Sequence, residues 1–278
     1  MVCQTGRVEA EGESRSGDAA AWEWDPASYG RVNSLQQLLA ERALADLVLS
    51  GDEDVLDVGC GDGRVTDLVV RRLTTGSLVG VDPSAAMIEG ARELLAADRR
   101  ARFELGTAAA LPFVAAFDLV TSFNALHWET RWRDALVRIR AALRPAGRAL
   151  LVFVCDGERP SLEDVVVELS TRGQWAAVFE GFDLPYVHVD PQAYASAAEG
   201  SGLRVDAISI DDVFWDFGSR EAFADWCAAG LVAWTGRLPE ADRREFVESA
   251  VDAYARVIGT DARLGFLQCL VRLTAVSL

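Results

Sequence analysis

The stretch Val55-Leu-Asp-Val-Gly-Cys-Gly-Asp-Gly-Arg-Val-Thr66 constrains this chain more than any other. An apolar run that ends in alternating glycines, Gly59, Gly61 and Gly63, and then resumes as helix-forming sequence reads as a buried parallel strand that turns tightly into a helix. The backbone of such a turn must take positive φ or approach a ligand closely. The helix N-terminus beyond it offers free N–H groups and a favourable dipole to an anionic group. A nucleotide-like ligand belongs at this position.

Alternating glycines alone also occur in plain strand-to-helix turns. The second apolar strand, Leu78-Val-Gly-Val-Asp82, makes the reading specific, because its terminal carboxylate stands 19 residues beyond Gly63. At that spacing an acidic residue reaches ribose hydroxyls in a βαβ nucleotide unit. Dinucleotides and S-adenosylmethionine both remain open to such a unit. Pyrophosphate binding needs Gly-x-Gly-x-x-Gly, whereas here the third glycine comes one residue early and Asp57 precedes the turn. A carboxylate there suits a cationic amino or sulfonium group and repels pyrophosphate.

Around this unit, strands and helices alternate. Helical spacing runs through Leu35, Leu38, Leu39, Ala43 and Leu47, with Asn33 or Ser34 as cap. Strands are expected at Arg102–Leu105, Phe117–Asn124 and Ala149–Val154, and helices at Val65–Leu73, Ser84–Leu95 and Arg131–Leu143, the last ending at Arg144-Pro-Ala-Gly-Arg148. Beyond Cys155 the rhythm changes: helices at Ser161–Arg172, Pro191–Glu199, Ser219–Trp234 and Pro239–Ile258 accompany strands at Arg204–Phe217 and Gly265–Val276. The expected fold is α/β: a doubly wound, Rossmann-like, mostly parallel seven-stranded sheet with an antiparallel last strand and a helical substrate cap. Residues 1–20 read as a disordered leader, 21–50 as an N-terminal arm and lid helix, and 51–155 as the cofactor-binding core. Residues 156–202 read as a cap insertion with its helix, and 203–278 as the end of the sheet with further cap helices.

Composition excludes several partners. The net charge of −16 argues against nucleic acid and anionic membranes, both of which require basic surface. All 27 basic residues are arginine. Cys3, Cys60, Cys155, Cys227 and Cys269 are scattered without a Cys-x-x-Cys, so neither a disulfide framework nor a metal site is expected. Without a signal or a spanning segment, a cytoplasmic protein is expected. The sequence leaves the oligomeric state open.

The glycine stretch resembles motif I of the class I S-adenosylmethionine-dependent methyltransferases, and Asp82-Pro-Ser-Ala-Ala-Met87 resembles their ribose and adenine segment. The chain is similar to the small-molecule branch that includes trans-aconitate methyltransferase and, most of all, juvenile hormone acid methyltransferase. Tyr29, Asn33–Gln36, Gly59–Asp67, Ser122-Phe-Asn-Ala-Leu-His-Trp128, Trp175 and Pro185-Tyr186 carry that likeness. It implies S-adenosyl-L-methionine as cofactor, held by Asp57, Gly59, Cys60, Gly61, Gly63, Asp82, Pro83, Met87, Thr107, Ala108 and Asn124. Most relatives carry an acid where Thr107 stands, so here the adenine contacts fall to backbone and the Thr107 hydroxyl.

By the same likeness the acceptor is an apolar carboxylic acid, terpenoid or another natural product, whose carboxylate is held by Gln36 and Trp128. Tyr29, Trp175, Phe179, Tyr186 and Trp215 are expected to line its cavity. Neutral amide and indole donors position an anion without neutralising it. A carboxylate is already ionised near neutral pH, so transfer to it needs orientation rather than a base. His127 is either an orienting group or, in the alternative of C-methylation of a prenyl group, the base that removes a proton. A further alternative keeps the fold without transfer, as a binding module or cyclase.

Overall fold

The computed structural model describes residues 34–276. Tyr29, Asn33, the aromatic arm and the expected leader lie outside the described residues. Helix α1 (Ser34–Ala45) buries Leu35, Gln36, Leu39, Ala40, Ala43 and Leu44, pairs that recur every four residues. The stripe therefore turns Gln36 inward with its apolar neighbours.

The strands are β1 (Asp54–Val58), β2 (Ser77–Asp82), β3 (Ala101–Leu105), β4 (Phe117–Phe123), β5 (Leu143–Val154), β6 (Leu203–Asp216) and β7 (Arg263–Ala275). They form one sheet in the order β3-β2-β1-β4-β5-β7-β6. β1 pairs in parallel with both β2 and β4, while β7 runs antiparallel between β5 and β6, as expected for this fold. Successive strand residues point to opposite faces. Accordingly Leu56, Val120 and Leu151 join one core with Leu136 and Ile139 of α4 (Trp132–Ala142). Val55, Leu119 and Leu150 join another with Leu44 of α1 and Val69 of α2 (Arg64–Val70). Helices thus cover both faces, and the strand order reverses between β1 and β4. In open α/β sheets a ligand crevice opens at such a reversal, outside the carboxyl ends of the strands.

Two segments differ from the expected pattern. β5 starts at Leu143, so Arg144-Pro-Ala-Gly-Arg148 lies within the strand instead of forming a turn. Its register against β4 shifts between Phe117 and Leu119, and Ala146 takes a φ of 62°, so a bulge absorbs the extra residues. The expected single helix over Ser219–Trp234 is two, α7 (Arg220–Gly230) and α8 (Val232–Thr235), which meet at Leu231. Gly230, a poor helix former, ends the first.

The cap is built from α5 (Leu162–Ser170), α7, α8 and α9 (Glu240–Ile258); α6 (Pro191–Gly200), expected with the cap insertion, packs instead on the sheet, where Tyr194 stacks on Trp132 of α4, and α3 (Ala85–Leu94) lies with the sheet between β2 and β3. A separate aromatic core made largely from α5, α7, α8 and α9 contains Trp175, Phe179, Phe223, Trp234, Phe246 and Tyr254. Tyr254 staples this core to β7: its hydroxyl donates to the Gly265 carbonyl (2.7 Å) and accepts from the Gly265 N–H (3.0 Å). Tyr254→Phe strands both buried backbone groups, and a loss of about 1–3 kcal/mol is expected in urea unfolding. No helix among the described residues is long and apolar enough to cross a membrane.

Candidate functional site

The turn after β1 has the geometry its glycines anticipate. Gly59, Gly61 and Gly63 take φ values of 74°, 54° and 83°. Gly59 is also pressed against the segment after β4, where a Cβ would stand 2.1 Å from the Ala125 Cβ. At Gly61 the opposite holds: a Cβ would meet nothing within 4 Å, so open space lies over the elbow.

Two acids frame this space. Asp57 is fully buried and sits in register between Gly80 of β2 and Thr121 of β4. It accepts from the Thr66 hydroxyl (2.6 Å) and the Thr121 hydroxyl (2.8 Å). Burial pushes its pKa up to about 6; the two hydroxyl bonds oppose that rise, and the Asp82 charge adds to it. Asp82, at the end of β2, accepts from the Gly61 N–H (3.0 Å) and the Ser84 N–H (2.9 Å), which ties the elbow to the start of α3. Burial raises its pKa as well, against those two bonds. Neither acid is paired with an arginine among the described residues.

The remaining residues expected to hold the cofactor follow the C-terminal ends of β1 to β4. Met87 is buried on α3, and Pro83 is exposed at the turn before it. Cys60 turns its thiol into a small core with Ile88, Ala91 and Phe103, so only its backbone belongs to the elbow. Thr107 precedes a short turn, Ala108–Ala110, with a buried hydroxyl that has no partner. Glu129 holds this turn against the end of β4 by accepting from the Ala109 N–H (3.1 Å) and the Arg131 N–H (3.0 Å). Asn124 adopts a left-handed φ of 54°, and its amide oxygen is buried and unpartnered.

Beyond Asn124 a cavity opens between the sheet edge and the cap. Leu35 and Gln36 line it from α1, Asn124, His127 and Trp128 from the end of β4, Val154 from the end of β5, and Leu264 and Phe266 from β7. Leu162, Glu163, Trp226, Ala229, Gly230 and Leu231 close it from α5 and the α7–α8 junction. Gln36, distant in the chain, thus lines one cavity with the adjacent His127 and Trp128. The Gln36 amide oxygen and the His127 Nδ1 are buried without partners. Burial, and secondarily the nearby His188, pushes His127 down to about 3, so it is neutral at physiological pH.

The other expected lining residues are placed differently. Tyr186 stands behind Trp128, 6.3 Å between ring centroids, and donates its hydroxyl to Asp164 (3.1 Å). Trp175 and Phe179 pack on Phe246 in the cap core, and Trp215 on Phe217. None of these four is on the cavity wall, and Tyr29 lies outside the described residues. Sequence reasoning passed over Thr66, Thr121, Glu163 and Trp226. Thr66 closes the glycine stretch itself and was legible there; the others are brought in by tertiary pairing.

These residues fit S-adenosylmethionine. Its amino and sulfonium cations match the buried Asp57, which lacks a cationic partner, and its ribose and adenine polar groups match the free acceptor capacity of Asp82 and the unpartnered Thr107 and Asn124. The fold and the site together define a class I methyltransferase. Residues 55–147 match the family described as Methyltransferase domain. The chain is 31% identical over 226 residues to the trans-aconitate 2-methyltransferase of Variovorax paradoxus, covering 80% of this chain and 82% of that one. Among solved structures it resembles phosphoethanolamine N-methyltransferase 2 of Haemonchus contortus in complex with S-adenosyl-L-methionine (TM-score 0.61, 15% identity, 91% of this chain and 57% of the other). It also resembles geranyl diphosphate C-methyltransferase of Streptomyces coelicolor (TM-score 0.52, 19% identity, 90% and 82%). The chain belongs to the class I S-adenosylmethionine-dependent methyltransferases, in the branch that acts on small molecules.

Proposed function

We propose that this enzyme methylates an oxygen of an apolar small molecule, namely the carboxylate of a terpenoid-like or other natural-product acid. The observation that carries the proposal is the convergence of Gln36 and His127, each with an unpartnered buried polar atom, on a cavity whose other walls are mostly apolar. The cofactor supplies an electrophilic methyl group. Gln36, whose amide can present either its oxygen or its N–H₂, holds the acceptor oxygens, and Trp128 shapes the wall beside them. A carboxylate acceptor needs no proton removed, which agrees with a histidine that stays neutral and whose protonation burial makes costly. The same depressed basicity counts against C-methylation with His127 as base. Trans-aconitate is a tricarboxylate, and no arginine lines the cavity among the described residues to receive it.

The test is mass spectrometry of apolar acids incubated with isotopically labelled cofactor: a methyl ester supports the reading, and a C-methylated product overturns it. In the same assay Gln36→Ala should raise the acceptor KM by about 10-fold or more while changing kcat little, as expected for a lost bond to a charged group. His127→Ala should cost less than about tenfold. At saturating cofactor the wild-type rate should show no inflection near the ordinary histidine value of about 6.5.

A further inference from the structure

Glu163 is the one charged side chain on the cavity wall among the described residues. It stands in the first turn of α5, where an acid commonly serves the helix N-terminus. That work is already done by its neighbour: Asp164 closes a capping box with Ser161 and also accepts the Tyr186 hydroxyl. Glu163 makes no ion pair or hydrogen bond within the described residues and is half-buried on a cavity wall that Leu162, Trp226 and Leu231 also line.

A half-buried carboxylate facing an apolar cavity without a cation has two consequences for a ligand. A hydroxyl or ammonium group that reaches it gains a charge-assisted hydrogen bond. A second carboxylate brought near it is repelled in a medium of reduced dielectric. We infer that Glu163 selects the acceptor: the natural substrate is an amphipathic molecule that carries, besides the atom to be methylated, a hydroxyl or ammonium donor bound by Glu163, and polycarboxylates are excluded. The inference rests on the proposed reading for the atom methylated, and adds the class of group at the cap side of the cavity.

Binding of matched medium-chain alkanoic acids ending in methyl, hydroxyl or ammonium tests this, with trans-aconitate as a fourth probe and the protein saturated with S-adenosylhomocysteine. The hydroxyl- or ammonium-ended acid should bind about tenfold more tightly than the plain acid, and trans-aconitate more weakly than all three. Glu163→Gln should erase most of the ammonium preference while leaving affinity for S-adenosylhomocysteine unchanged, which also reports that the variant is folded. Equal affinity for the three matched acids, tight trans-aconitate binding, no binding of any probe, or a preference that survives in Glu163→Gln overturns the inference. Ester formation is read separately by mass spectrometry. Glu163-dependent binding without an ester would sink the carboxylate reading and leave this one standing, and esters formed without Glu163 dependence would do the reverse.

Discussion

Gly59→Ala is expected to abolish methyl transfer and to destabilise the protein by about 2–5 kcal/mol, the sum of a left-handed backbone imposed on a residue with a Cβ and of overpacking. Both causes are visible: φ is 74°, and the added carbon would stand 2.1 Å from the Ala125 Cβ. Relief of either requires the elbow to move, and the elbow carries the Gly61 N–H that Asp82 holds. The two causes separate in a double mutant. Gly59→Ala with Ala125→Gly removes the clash and keeps the backbone penalty, so it should recover part of the stability in denaturant titration. A double mutant no more stable than Gly59→Ala alone would show that the contact with Ala125 is not what confines position 59.

The second large effect is expected at Asp57, where stability and function should move in opposite directions. Asp57→Asn keeps an acceptor for Thr66 or Thr121, whose hydroxyls can rotate, and removes a buried carboxylate that has no cationic partner. Folding should therefore be unchanged or slightly favoured, because an unpaired buried charge opposes it. Binding of the cationic cofactor should weaken by about 10- to 100-fold, the loss of one to two charge-assisted interactions. The pH dependence carries the same signature. With its pKa raised to about 6, Asp57 in the free enzyme is protonated below that value and ionised above it. A cation favours the ionised form, so cofactor affinity should rise as pH increases through about 6 and level off above it, with proton release on binding near pH 6. Isothermal titration in buffers of different ionisation enthalpy measures that release. It should vanish in Asp57→Asn, and an unchanged pH profile in the variant would assign the titration to another group.

The contrast between these two positions marks how far the sequence could be read. The glycine elbow, the acids Asp57 and Asp82 at the ends of two strands, and the alternation of the first five strands with helices were legible because each depends on local rules. Positive φ demands glycine, alternation of strand and helix demands a parallel sheet, and a carboxylate at a fixed distance reaches the next strand end. The same rules mislead where a tertiary contact overrides them. The Arg144–Arg148 stretch reads as the end of a helix but is carried inside β5 as a bulge between Leu143 and Arg148, both of which pair with β4, and Trp175 and Phe179 are claimed by the cap core.

By itself, then, the sequence determined the cofactor, the sheet and the edge at which chemistry occurs. Gln36, His127 and Trp128 were named from the family likeness; only the tertiary structure gathered them around one cavity with Glu163 and Trp226 of the cap, and kept Trp175, Phe179, Tyr186 and Trp215 off its wall. The reason is physical. Backbone geometry and periodicity are written in neighbouring residues, whereas a cavity wall is set by packing between segments with no common period. The basicity of Asp57 and His127 is likewise set by burial, which no spacing along the chain records.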